Sequence, residues 1–153
     1  MYYLIMKLKY ELVYKNLPEE YKKQIFKLWN SVLNKEEQLK RIEQVIIVFK
    51  NEDDKIVGVC TVYTDILRSN NKLYYFFRSY IEPNSRSKFF NLKGDSATTV
   101  AKNFLKTYEV SPKPHGFIIV IENPKISPKL MRKFGLSPLP NTQNRVWYED
   151  FNE

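Results

Sequence analysis

Eight consecutive residues near the middle of the chain, Ile56-Val57-Gly58-Val59-Cys60-Thr61-Val62-Tyr63, carry no charge and are apolar at nearly every position. Side chains of a strand point alternately to opposite faces, so this segment has two apolar faces to cover and belongs inside a sheet packed on both sides. Its neighbours extend it into an antiparallel meander. The strands are Val45 to Lys50, Lys55 to Thr64 and Leu73 to Glu82, with turns at Asn51-Glu52-Asp53-Asp54 and Ser69-Asn70-Asn71.

The segments around the meander supply helices to cover it. A strand is expected over Leu8 to Tyr14, where Leu8, Tyr10, Leu12 and Tyr14 form one buried face. Pro18 with Glu19 and Glu20 opens an amphipathic helix to Leu33, carrying Tyr21, Ile25, Leu28, Trp29 and Val32 at helical spacing. Asn34 with Glu37 forms a capping box for a short helix that carries Leu39 and Ile42 and ends near Glu43. Ser96 to Tyr108 places Ala97, Val100, Ala101, Phe104, Leu105 and Tyr108 on one stripe. A loop at Ser111 to Pro114 leads to a buried strand, Phe117 to Ile121. Ser127 and Pro128 then start a helix that Gly135 stops, and Arg145 to Phe151 is a last strand. This order describes an α/β, mixed α+β fold, a mixed sheet with helices on both faces.

The 153 residues, 43% of them hydrophobic, suit one domain spanning 1–153 with one core. No apolar run approaches the roughly 20 residues of a membrane helix, and Lys7 and Lys9 interrupt the apolar start, which lacks the basic region of a secretory signal. A cytoplasmic protein without membrane contact is expected. A single cysteine, Cys60, and a single histidine, His115, exclude an internal disulfide and a zinc site built on those residues, and no metal is expected. Lys and Arg total 25 against 17 Asp and Glu, a net charge of +8, which favours anionic partners such as nucleic acid or a phosphorylated cofactor. The excess is spread along the chain, and the abundance of Lys, Asn, Ile and Tyr is what an AT-rich genome produces, so charge alone does not choose.

Two local patterns narrow the field. Tyr80-Ile81-Glu82-Pro83-Asn84-Ser85-Arg86-Ser87-Lys88 is a strand end followed by proline and a basic loop, and Asn91-Leu92-Lys93-Gly94-Asp95-Ser96 brings glycine to a helix start. Farther on, Ile119-Val120-Ile121-Glu122-Asn123-Pro124 is followed by Leu130-Met131-Arg132-Lys133-Phe134-Gly135-Leu136. With the element order, these segments resemble the GNAT family of acyl-CoA N-acyltransferases, over roughly Val45 to Phe151. The family's glycine is displaced here: Phe89 stands where it is expected after Arg86, and Gly94 comes later. The family's tyrosine position is Met131, and a methionine has no proton to give to a departing thiolate.

The resemblance implies acetyl-CoA or another acyl-CoA as cofactor and an amine as acceptor. It implies a cofactor site at Ser79, Ile81, Arg86, Ser87, Lys88, Asn91, Lys93, Gly94, Ser96 and Asn123, where backbone amides at a helix start and cationic side chains meet a diphosphate. Amides around Ser79 to Ile81 would donate to the thioester oxygen. Glu82 or Glu122 would act as base, and Tyr80 or Tyr148 as acid in place of Met131. Each also has a plain structural reading as a strand-end carboxylate or a packed tyrosine. Arg78, in an apolar-aromatic run, would orient an acidic acceptor or pair with Asp65 or Glu82. Cys60 reads as a small buried thiol and His115 as a loop histidine. The alternatives are an enzyme of the same fold directed at a nucleic acid or nucleotide, with Lys22, Lys23 and Lys27 contributing, an acyl-CoA-binding module without turnover, and an unrelated α+β domain. Family members often dimerise through their late strands, so the resemblance also implies a homodimer as an expectation.

Overall fold

The computed structural model describes residues 8–86, 97–122 and 127–151. Its elements in chain order are β1 (Lys9–Leu12), α1 (Glu19–Trp29), α2 (Lys35–Ile42), β2 (Val45–Lys50), β3 (Ile56–Leu67), β4 (Lys72–Ile81), a 3-10 turn (Pro83–Ser85), α3 (Ala97–Thr107), β5 (Gly116–Val120), α4 (Pro128–Lys133), β6 (Ser137–Pro138) and β7 (Val146–Asp150). The strands form one seven-stranded sheet in the order β1-β2-β3-β4-β5-β7-β6. Pairs β1–β2, β2–β3, β5–β7 and β6–β7 are antiparallel, and β4–β5 is parallel. The mixed, mostly antiparallel sheet with helices expected from the sequence is therefore present. No helix among the described residues is long and apolar enough to cross a membrane.

The chain divides into two compact units, Met1–Thr61 with Ser79–Ala97 and Val62–Arg78 with Thr98–Glu153. In the first, Ile25 and Trp29 of α1 and Ile42 of α2 pack with Val13, Val45, Val48, Ile56 and Val59, and Tyr80 joins this cluster partly buried. The short helix α2 starts where the capping box placed it, with the Asn34 side chain accepting from the Glu37 amide at 2.8 Å. Every residue of β2 from Val45 to Phe49 is buried, as is the run Ile56 to Val62 of β3. Gly58 in that run is required by close approach, since a Cβ there would meet Ile81 Cδ1 and lie 3.1 Å from the Tyr80 carbonyl oxygen.

In the second unit, Ala101 and Leu105 of α3 are fully buried, and so are Phe117 and Ile118 of β5 and Trp147 of β7. Helix α4 is capped by Ser127, whose hydroxyl accepts from the Leu130 amide at 3.3 Å. It closes at Gly135 with φ +84°, and the Leu136 amide reaches back to the Met131 carbonyl at 3.1 Å.

Four expectations are corrected. β1 is an edge strand of four residues, all exposed, with Tyr10 at 38% and Leu12 at 39%, and only the flanking Leu8 and Val13 are buried. An edge strand is paired on one side only, so alternation there does not imply a covered face. Helix α1 ends at Trp29 instead of Leu33, leaving Val32 exposed. Leu39 of α2 is 59% exposed while Gln38 is buried, because Gln38 Nε2 donates to the Leu33 carbonyl and to Asn30 Oδ1. Between the helix that Gly135 stops and the last strand, where the sequence reading places no strand, lies the short strand β6.

Candidate active site

Within the first unit, the end of β4 carries Ser79, exposed, Tyr80, half-buried, and Ile81, buried. The Glu82 amide donates to the Val57 carbonyl at 2.8 Å, and the Tyr80 carbonyl faces Gly58, so both residues turn their backbone groups toward β3. By strand alternation Ser79 and Ile81 direct theirs to the other edge of β4. There the Ile81 carbonyl accepts from Arg86 Nε at 2.9 Å, which folds the guanidinium back over the strand end, 5.7 Å from the Tyr80 ring. Arg86 is exposed, and a guanidinium has further N–H donors besides the Nε that Ile81 takes. The 3-10 turn fixes Glu82, whose Oε1 accepts from the hydroxyl of buried Ser85 at 2.9 Å.

Within the second unit, the parallel β4–β5 ladder runs through Tyr75–Phe117, Phe76–Ile118 and Phe77–Ile119. β4 itself continues to Ile81 and β5 to Val120. Past the ladder, the Ile121 amide bonds the Arg145 carbonyl beside β7 at 2.7 Å, and Glu122 is exposed. Tyr148 is half-buried in β7, in register with Ile118 on one side and Ser137 on the other. Met131 is only 2% exposed, a core residue of α4. Ser87, Lys88, Asn91, Lys93, Gly94, Ser96 and Asn123 lie outside the described residues.

Arg78 is half-buried near the end of β4. Its guanidinium sits 4.5 Å above the Tyr63 ring, and Tyr63 stacks on Phe76 with centroids 5.3 Å apart. Cys60 is buried, and burial pushes its thiol well above the usual range, which disqualifies it as a nucleophile. The His115 ring lies 3.7 Å from Asp150 Oδ2 and 3.4 Å from Lys72 Nζ, and Asp150 also accepts from the Tyr74 hydroxyl at 2.7 Å. Sequence reasoning missed one feature entirely. Lys102 of α3 is buried and donates to the Phe134 carbonyl at 2.7 Å and to Glu149 Oε1 at 2.9 Å. Its position one residue after Ala101 on the buried stripe was the available signal.

No protein-family sequence model matches this chain, and no curated protein sequence does. Solved structures do. AtaTR bound with acetyl-CoA superimposes with a TM-score of 0.59 at 13% identity, covering 95% of this chain and 94% of that one. A candidate phosphinothricin N-acetyltransferase gives 0.60 at 15% identity, over 96% of this chain and 100% of the other. The fold is the GNAT N-acetyltransferase fold. The GNAT family protein YhbS from Escherichia coli, in complex with CoA, matches at 0.53 and 8% identity over 96% of this chain and 83% of its own. AtaT complexed with acetyl-methionyl-tRNA also matches, at 0.50 and 14% identity over 94% and 95% of the two chains. In this GNAT fold Met131, which the sequence resemblance puts at the family's tyrosine position, is spent on packing.

Proposed function

We propose that the protein is an acyl-CoA-dependent N-acyltransferase that transfers an acetyl group to an amine. One observation carries this reading: the parallel β4–β5 ladder stops at Phe77–Ile119 although both strands continue, and the amides of Ser79 and Ile81 are directed away from β3. Directed backbone N–H groups outside a ladder are what a bound thioester carbonyl needs for polarisation. The basic Arg86, held by Ile81, fits the phosphates of an acyl-CoA, with Ser87, Lys88, Asn91, Lys93, Gly94, Ser96 and Asn123 as the remaining cofactor contacts.

The thioester supplies the acyl group: the amine lone pair attacks its carbonyl carbon, a C–N bond forms, the C–S bond breaks, and CoA leaves as a thiolate. Glu82 is the preferred base. Ser85 occupies its Oε1 and leaves the second oxygen to take a proton from the amine, directly or through water. Glu122, exposed at the end of β5, is the other carboxylate for this role. Protonation of the thiolate falls to Tyr80 or Tyr148, since buried Met131 cannot supply it.

Calorimetric titration with acetyl-CoA and CoA, followed by thiol release over a panel of amines, tests the reading. Specific binding weakened by Arg86→Ala, with amine-dependent thiol release, supports it. A folded protein, free of copurified CoA, that binds neither compound overturns it. Binding without release from any amine favours the module without turnover. A second reading, that the acceptor is carried on nucleic acid, is favoured by the +8 charge and by similarity to AtaT complexed with acetyl-methionyl-tRNA. It requires salt-dependent RNA or DNA binding that other polyanions do not reproduce.

A further inference from the structure

Between α1 and α2 the first unit holds a cavity of about 490 Å³ lined by Phe26, Asn30, Leu33, Lys35, Gln38 and Leu39. That volume lies within the usual range of small-molecule sites, roughly 300–1,000 Å³. Its walls are apolar: Phe26 and Leu33 are partly buried against the core cluster, and Leu39 is 59% exposed, a cost the fold carries without covering it. Its polar groups are few and differ in kind. Gln38 is 5% exposed, and its Nε2 is committed to the Leu33 carbonyl at 2.9 Å and to Asn30 Oδ1 at 3.2 Å. A backbone carbonyl as partner fixes which end of the amide is nitrogen. Gln38 Oε1 is therefore an oriented acceptor without a protein donor among the described residues, and since it is not one of their buried unpaired atoms it is open to a donor from outside. Asn30 accepts through Oδ1 and keeps its NH2 donors, and Lys35 adds an ammonium to the lining.

We infer that this cavity binds an apolar or aromatic carboxylate that carries an N–H donor next to the acid, as an N-acylated amino acid or the C-terminal residue of a peptide does. The side chain fills the Phe26, Leu33 and Leu39 walls, the N–H meets Gln38 Oε1, and the carboxylate meets Lys35 and the Asn30 amide. A polyphosphate would leave the apolar walls uncovered, and a neutral hydrocarbon would leave Gln38 and Lys35 unanswered. The site does not rest on the acyl-transfer reading.

The test is NMR titration of the full chain, without CoA, using N-acetyl-L-phenylalanine as probe. Amide shifts centred on Phe26, Leu33 and Leu39 are expected. Affinity should fall roughly tenfold for N-acetyl-L-phenylalaninamide, which lacks the acid, and roughly tenfold for the Lys35→Ala protein. Leu39→Asp should abolish binding. Gln38→Leu removes two internal bonds and can unfold the region, whereas Lys35 and Leu39 are exposed and their variants keep the core. A peptide ending in phenylalanine that binds more tightly than the single residue assigns the site to C-termini, and equal affinity assigns it to N-acyl amino acids. Absence of local shifts at millimolar probe, or equal binding by the amide and by both exposed variants, overturns the inference.

Discussion

Replacing Lys102 with methionine keeps the length of the side chain and removes its charge and its donors. In the native protein the ammonium is buried, with the side chain 8% exposed, and ties α3 to the Phe134 carbonyl and to Glu149 of β7. Breaking a buried pair from one side costs roughly 3–5 kcal/mol, chiefly because the remaining charge stays desolvated. Glu149 is 25% exposed, so water relieves part of that cost, and the loss of a partner at the Phe134 carbonyl adds to it. The expected destabilisation is about 2–3 kcal/mol, or roughly 6–10 °C in Tm for a chain of this length. Urea unfolding should show a lower midpoint with an unchanged slope. The Lys102→Met, Glu149→Leu double variant should recover at least about 1 kcal/mol relative to the sum of the single losses, because no stranded carboxylate remains. The reasoning fails if Lys102→Met costs less than about 0.5 kcal/mol, or if the two losses simply add.

Gly58→Val should lower stability by about 2 kcal/mol or more, because the new side chain must displace Ile81 and press on the Tyr80 carbonyl, and chemical denaturation measures it. Asn34→Ala removes the acceptor for the Glu37 amide and should cost about 1 kcal/mol, readable as a lowered thermal midpoint and lost by Asn34→Ala but not by Asn34→Asp. Tyr74 is 1% exposed, and burial, with the Asp150 carboxylate accepting its hydroxyl, pushes its phenol up to about 12 from about 10. Since the folded value is the higher one, the stability linked to this group is fully present below pH 10 and is lost as pH rises from about 10 to 12, a loss on the order of 2–3 kcal/mol. A Tyr74→Phe protein should start less stable at pH 8 and lose less over that window. Equal alkaline slopes for the two proteins would remove Tyr74 as the cause.

Most of the fold was readable in the chain because its decisive signals are local. The doubly apolar run Ile56 to Tyr63 can only be an interior strand, the Asn34 and Ser127 caps fix two helix starts within a turn, and Gly135 supplies the positive φ that ends α4. Errors fell where a tertiary fact overrides a local period. β1 has a good alternating pattern, yet an edge strand need not bury it, and the Leu39 and Gln38 positions exchange roles because an amide that meets two acceptors is satisfied inside while a leucine is tolerated outside. For Lys102 the position beside Ala101 signals burial, but not its partners, which lie 32 and 47 residues away.

The site was less legible than the fold, and the cause is physical. Residue types mark chemistry only when side chains perform it, as Glu82 and Arg86 suggest by their position after a strand. The feature that carries the functional reading is instead a backbone one: three parallel register pairs, ending at Phe77–Ile119, in strands that both continue. Any residue has an amide to offer, so nothing in Ser79 or Ile81 distinguishes them from other strand residues. What singles them out is the strand's phase, set by the Glu82 amide on Val57 and the Tyr80 carbonyl against Gly58. The glycine that allows β3 and β4 to approach is thus also the residue that fixes which amides face outward. A Gly58 substitution that folds should therefore weaken acetyl-CoA binding more than its stability loss accounts for, and a folded variant with unchanged affinity would separate the two roles.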